Sequence, residues 1–294
     1  MPTTQSAGAR FREALKAPPL VIPGVFNALS ARLAERTGFR AVYQSGAALS
    51  AGLALPDVGL VTQTEFAEQG RYLAHAVSIP VISDADTGFG EALAVERTVS
   101  LFESAGLAGL HLEDQELPKR CGHLSGKSLV SRDEMVSKLK AAVAARRDPS
   151  FVIIARTDAR AVEGIDSAIE RAQAYVEAGA DMIFPEALET PEEFGRFARA
   201  IHVPLIANMT EFGKSPLLSA QELANLGYAA VLFPVTTLRV AMKAVEAALG
   251  QLVREGTQKG LLDRMQTRAE LYDLLDYSGF EERDRSYFGG APRC

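Results

Sequence analysis

The 294-residue sequence predicts an α/β protein folded as a (β/α)₈ barrel of the TIM type. Three observations carry that prediction. Eight short apolar runs lack polar alternation, as parallel strands buried on both faces do. Segments with helical period and good helix formers separate them. Polar residues gather at the C-terminal end of nearly every run, where barrel enzymes keep their chemistry. A doubly wound open sheet would share the local pattern but with fewer repeats.

The first run, PLVIPGV (19–25), is followed by ALSARLAERTG, a helical pattern that stops at glycine. The second, RAVYQS (40–45), ends in Tyr43 and Ser45. PVISDAD (80–86) brings Asp84 and Asp86 and leads to the helical EALAVERTVSLFESAG. AGLHLED (108–114) ends in Glu113 and Asp114, and the loop LPKRCGHLSGKS (117–128) follows before the helical SRDEMVSKLKAAVAARR. FVIIARTD (151–158) carries Arg156 and Asp158 ahead of GIDSAIERAQAYVEAGA. DMIFPEA (181–187) ends in Glu186 and precedes TPEEFGRFARAI. VPLIANM (203–209) leads to Asn208 and Thr210, and AAVLFPV (229–235) leads through Pro234 to Arg239. The tail, with GLLDRMQTRAELYDLLDYSGFEE, predicts a helical extension from about 250 to 294. No Pro/Ser linker or low-complexity stretch divides the chain, so residues 1–294 are expected to form one barrel domain with that extension.

Composition narrows the function classes. Apolar residues make up 47% and charged residues 23%, as in a globular protein. A formal charge of −6, with no basic run, argues against a nucleic-acid partner. No segment approaches the ~18 to 20 unbroken apolar residues of a membrane span, and the first twenty residues hold no signal-peptide core. Two cysteines, Cys121 and Cys294, make neither a disulfide framework nor a zinc pattern, so a reducing, cytoplasmic setting is expected.

Asp84 and Asp86, two apart on a strand, point to one side and can reach a common site. A cation relieves their repulsion, and hard oxygen ligands with open positions suit Mg²⁺. A strand-end turn in which Asp satisfies backbone amides is the alternative. Glu113 and Asp114 add acidic groups and favour the metal. In LPKRCGHLSGKS, the cations Lys119, Arg120, His123 and Lys127 are expected to favour the Cys121 thiolate, and the glycines to make the loop mobile. Its ending imitates a phosphate-binding loop, but the Gly122 to Gly126 spacing is one residue short and no strand leads into it. Arg156 and Arg239, with Asn208 and Thr210, suit a polycarboxylate. His111 reads as a core histidine, and His75, His202 and Cys294 as structural or exposed.

The blocks KRCGH, HLED and DADTGFG, with QSGAALSAGLALPD, FPEA and ANMTEFG, resemble the isocitrate lyase and phosphoenolpyruvate mutase superfamily, and within it the cysteine-containing lyases. The resemblance implies Mg²⁺-dependent carbon–carbon cleavage, by a retro-aldol route, of 2-methylisocitrate to pyruvate and succinate in propionate catabolism through the methylcitrate cycle. Isocitrate or 2,3-dimethylmalate is the alternative substrate, and oxaloacetate decarboxylation a more distant one. It further implies metal binding by Asp84 and Asp86, with Asp57 and Glu113 holding metal-bound water. Ser45, Gly46, Ala47 and Arg156 would take the pyruvate-like part of the tricarboxylate. Cys121, Gly122, His123, Glu186, Asn208, Thr210, Arg239 and Arg268 would surround the succinate-like part. Cys121 is the expected proton donor and Tyr43 the candidate proton acceptor. Members exchange a C-terminal helix between subunits and form homotetramers. Two positions depart from the family pattern: Ala47 replaces a second glycine, and LSGK follows the cysteine motif as in isocitrate lyases.

Overall fold

The computed structural model describes residues 5–288, so Cys294 lies outside the described residues. It divides into two compact units, 1–239 and 240–294. The sequence placed the change near residue 250 within one domain. The boundary between the two units lies inside a continuous helix, Thr236–Glu255, where no turn or linker marks it.

All eight apolar runs of the first unit form strands: β1 Leu20–Val25, β2 Val42–Gln44, β3 Val81–Asp84, β4 Gly109–Glu113, β5 Val152–Thr157, β6 Met182–Pro185, β7 Ile206–Asn208 and β8 Ala230–Phe233. They pair in parallel in the order β6-β5-β4-β3-β2-β1-β8-β7. A bridge between Ile183 and Leu205 brings β6 beside β7, so the ring is nearly closed and helices lie between successive strands.

The pleat sorts each strand into two faces. Ile22, Tyr43, Ile82, Ile154, Phe184, Ile206 and Leu232 fill the barrel, and Phe11 of the helix Ala7–Leu15 joins this inner cluster. Val42, Val81, Ile153, Ile183, Ala207 and Val231, each one residue out of step, pack outward against the helices. Caps fix where those helices begin. Thr62 and Glu65 close a capping box on Gln63–Ala76, Ser219 and Glu222 another on Ala220–Asn225, and Pro191 opens Pro191–Ala200 behind the Thr190 cap.

In the second unit the long helix continues to Glu255, followed by a 3₁₀ turn at Lys259–Arg264 and the helices Arg268–Leu274 and Tyr277–Tyr287. Its surface is unusually apolar: Val253 is 86% exposed, Phe280 60% and Tyr287 80%. No helix among the described residues is long and apolar enough to cross a membrane.

Candidate active site

On β3, β4, β5 and β6 the inward face ends in a charged residue. Two residues after Ile82 comes Asp84, two after His111 comes Glu113, two after Ile154 comes Arg156, and two after Phe184 comes Glu186. One cavity collects the result. Tyr43, Ser45, Ala47, Asp57 and Asp84 line one side, and Cys121, Gly122 and His123 cover it. Arg156, Glu186, Asn208, Thr210 and Arg239 complete the wall, with Phe184 and Leu232 as its apolar floor.

The acidic side is closely built. Asp84 Oδ2 accepts the Gly46 N–H at 3.2 Å and the Tyr43 hydroxyl at 3.4 Å, while Oδ1 accepts the Asp86 N–H at 2.9 Å. A Cβ on Gly46 would stand 2.5 Å from Asp84 Oδ2, so only glycine allows this approach. Asp86 sits in the left-handed region at φ 45°. Its Oδ1 lies 2.6 Å from Lys119 Nζ, and Asp57 Oδ1 lies at the same distance from that ammonium. Glu113 is fully buried; neither of its oxygens has a well-aligned hydrogen-bond donor, and Arg156 Nη1 stands 3.1 Å from Oε2 as an ion pair.

Burial and neighbouring charge separate these acids. Burial pushes the Asp84 carboxyl up, but His111, Lys119 and Arg156 outweigh it and hold it at about 2. Asp86 goes the other way, to about 7, because its burial and the nearby Asp84 charge outweigh Lys119. Burial also raises Glu113 well above the usual carboxylate range. Four crowded carboxylates, one of them with unmet oxygens, form a donor set that fits a hard divalent cation. Among the described residues no three acidic, histidine or cysteine side chains close a ready-made cage. Asp84 and Asp86 would hold such an ion, with Asp57 and Glu113 behind them.

The loop over the cavity corrects one expectation. Three of its four basic residues face carboxylates, Lys119 to Asp57 and Asp86, Lys127 to Asp158 at 2.7 Å, and His123 Nε2 to Glu186 Oε1 at 3.1 Å, while Arg120 donates to the Ser125 carbonyl at 3.5 Å. Burial therefore pushes the Cys121 thiol up, and Glu186 adds to it; the cationic sequence does not produce a thiolate. Nor is the loop free. Gln115 Nε2 donates to the Arg120 carbonyl and Gln115 Oε1 accepts the Arg120 N–H, both at 2.9 Å. Gly122 is packed so closely that a Cβ would run into Glu186 and Arg156.

Glu186 is held far below the usual range despite its burial, by Arg156 and then His123. It accepts two contacts from Asn208 Nδ2, at 3.2 and 3.1 Å. Arg239 is half-exposed beside Glu211 and under the Phe212 ring.

Other expectations fall differently. Asp114 is one step out of phase with Glu113, so it faces the helices, where Thr157 Oγ1 and Tyr175 Oη donate to it at 2.7 and 2.8 Å; it adds nothing to the metal site. His111 is the buried core histidine the sequence suggests: its Nε2 stands 2.8 Å from Tyr43 Oη and 3.7 Å from Asp84 Oδ1, and burial lowers it to about 4. Tyr43 is poorly suited to accept a proton, since burial and then Asp84 push its hydroxyl well above the usual value. Arg268 belongs to the second unit, at the start of its helix Arg268–Leu274. His75 and His202 are exposed, as expected. Sequence reasoning missed Phe184 and Leu232 in the cavity floor and Lys119 as a carboxylate clamp. Strand parity could have found the first two; nothing local signals the third.

A family model described as phosphoenolpyruvate phosphomutase matches residues 11–253. The chain belongs to that family. Within the phosphomutase family it is similar to the 2-methylisocitrate lyase of Aeropyrum pernix, 53% identical over 286 residues that cover 93% of this chain and 92% of the relative. Among solved structures, a 2,3-dimethylmalate lyase of the PEP mutase/isocitrate lyase superfamily superposes with a TM-score of 0.90 at 35% identity, covering 99% of this chain and 100% of that one. A phosphonopyruvate hydrolase complexed with oxalate and Mg²⁺ gives 0.88 at 33% identity, covering 97% and 100%. This phosphomutase-family chain is an enzyme, a lyase of the PEP mutase/isocitrate lyase superfamily.

Proposed function

We propose that the enzyme cleaves 2-methylisocitrate to pyruvate and succinate with Mg²⁺, in the cytoplasm, as the lyase step of propionate breakdown through the methylcitrate cycle. The observation that carries the reading is the one cavity that Cys121, Arg156, Glu186 and Asp84 line together. Identity of about half the residues to 2-methylisocitrate lyases supports it over the other superfamily substrates.

The reaction breaks one carbon–carbon bond. The substrate hydroxyl gives its proton through the Tyr43 hydroxyl to His111, whose Nε2 stands 2.8 Å from it, the bond to the neighbouring carbon breaks to give the ketone of pyruvate, and the electron pair stays on the succinate carbon. Mg²⁺, when bound, supplies stabilisation for negative charge on the substrate's carboxylate and hydroxyl oxygens. Arg156 pairs with a substrate carboxylate, and Ser45, Gly46 and Ala47 flank the pyruvate-like half. Cys121 gives its thiol proton to the succinate carbon, a role that needs the thiol and so agrees with its raised pKa. Tyr43 orients by hydrogen bonding. His123, Glu186, Asn208, Thr210 and Arg239 surround the succinate-like half, and the Cys121 loop excludes water.

The exposed apolar residues of the second unit support a homotetramer in which that unit is covered by another subunit, which is where Arg268 would act. The test is release of pyruvate and succinate from 2-methylisocitrate with Mg²⁺, beside isocitrate and 2,3-dimethylmalate at matched concentrations. Preference for the methylated isocitrate is expected; preference for either other acid overturns the substrate but keeps the chemistry.

A further inference from the structure

Lys127 has no place in the mechanism above, yet it is among the most enclosed cations in the protein. Its side chain is 1% exposed, and Asp158, its partner at 2.7 Å, is fully buried. The same ammonium donates to the carbonyl oxygen of Gly122, the residue after Cys121. One buried cation therefore ties the tip of the Cys121 loop to the residue that follows β5.

The loop stands on a paired base. Gln115 and Leu129 form an antiparallel bridge, the Glu116 N–H donates to the Ser128 carbonyl at 2.9 Å, and Gln115 clamps Arg120 from both sides. Beyond that base the tip, 121–126, is held at two places: His123, whose Nδ1 accepts the Lys214 N–H at 2.9 Å and whose Nε2 stands 3.1 Å from Glu186, and the Gly122 carbonyl, which the Lys127 ammonium joins to Asp158.

Asp158 is prepared for this partner. Arg156 Nε donates to its Oδ2 at 3.0 Å and Asp114 Oδ1 accepts its N–H at 2.9 Å, which fixes the carboxylate whether or not the loop is down. Its Oδ1 faces Lys127, with Arg156 Nη2 at 3.3 Å. A loop that lifts away returns the Lys127 ammonium to water and leaves the Gly122 carbonyl without this donor. The contact thus differs between the closed and open arrangements, which is what biases a two-state element.

We propose that Lys127 is the latch of this loop, a positioning residue that joins the loop's tip to Asp158 and so holds Cys121 over the reaction site. Resting on the proposed reading of that site, this gives the lysine a role distinct from tuning the thiol: it sets where the thiol stands and for how long. Because Asp158 also grips Arg156, one carboxylate aligns the arginine for the substrate and the loop that covers it.

The experiment follows alkylation of Cys121 by iodoacetamide, read on its own peptide by mass spectrometry, with and without Mg²⁺, pyruvate and succinate. In the wild-type enzyme the acids and the ion are expected to slow alkylation tenfold or more. In Lys127→Met the slowing is expected to shrink to less than twofold, with turnover down about a hundredfold and a thermal melt that stays cooperative. Lys127→Gln serves with the same expectations if the Met variant does not fold. Equal protection of wild type and variant overturns the latch alone. A wild-type thiol that the acids and Mg²⁺ leave unprotected overturns the site reading, and the latch with it.

Discussion

The Asp86 carboxylate and the Lys119 ammonium stand 2.6 Å apart in a pocket where the lysine side chain is only 2% exposed. Lys119 is therefore the resident counter-charge of the acidic cluster, shared with Asp57. Lys119→Met leaves those carboxylates facing each other and Asp84 with their main cation gone. Loss of one partner of a buried pair costs about 3 to 5 kcal/mol. The variant is expected to melt lower in chelator and to recover part of the loss in millimolar Mg²⁺, because an ion that binds only the folded state stabilises it by mass action. An unchanged melting temperature in chelator contradicts the assignment.

Gly46 and Asp84 form the second tight relationship. A methyl group at Gly46 would stand 2.5 Å from Asp84 Oδ2, and the aspartate is held from its other side by the Asp86 N–H. Gly46→Ala should shift that carboxylate while leaving the fold intact, since the clash is with a side chain. We expect turnover about a hundredfold lower and half-saturation at a higher Mg²⁺ concentration. Saturation with Mg²⁺ at the wild-type concentration would refute the expectation.

The Cys121 thiol sets a pH limit with a definite sign. The acid form is the active form, and burial places its pKa above the ordinary thiol value. The protonated fraction is complete through neutral pH and falls only as pH rises through that raised pKa. The alkaline limb of kcat/KM is therefore expected above ~8.5, the value of a free thiol. Cys121→Ser, with a hydroxyl too weakly acidic for the task, should lose most turnover and keep Mg²⁺ binding. Near wild-type turnover in that variant would remove Cys121 from its role.

How much of this was legible in the sequence depends on the kind of information involved. The strands were, because each apolar run is bounded by turn or helix signals and lacks the polar alternation of a half-exposed strand. Asp84, Arg156 and Glu186 were, because a charged residue directly after an apolar run stands at a strand end. The direction each faces was less so: Glu113 and Asp114 are adjacent, and only the phase inherited from Leu110 and His111 sends one inward and the other out. The partners of the loop cations were not legible at all. Lys119 reaches Asp57 across 62 positions of sequence, and Lys127 reaches Asp158 across 31, distances fixed by closure of the barrel and not by any local pattern.

Asp114 allows that outward assignment to be tested through stability. It is fully buried, and its burial, followed by the Asp158 charge, raises its carboxyl to about 6 although Thr157 and Tyr175 donate to it. A raised pKa in the folded state means that folding favours the protonated form. The associated stability is fully present below the unfolded-state value of ~3.9 and is lost as pH rises through about 6. Two pKa units correspond to about 3 kcal/mol. Asp114→Asn cannot titrate, so the wild type should lose stability relative to the variant by about that amount between pH 4 and pH 7. Urea midpoints across this range measure it. Parallel curves for the two proteins would mean that Asp114 shares its environment with solvent or with the metal site, contrary to its outward position against Tyr175.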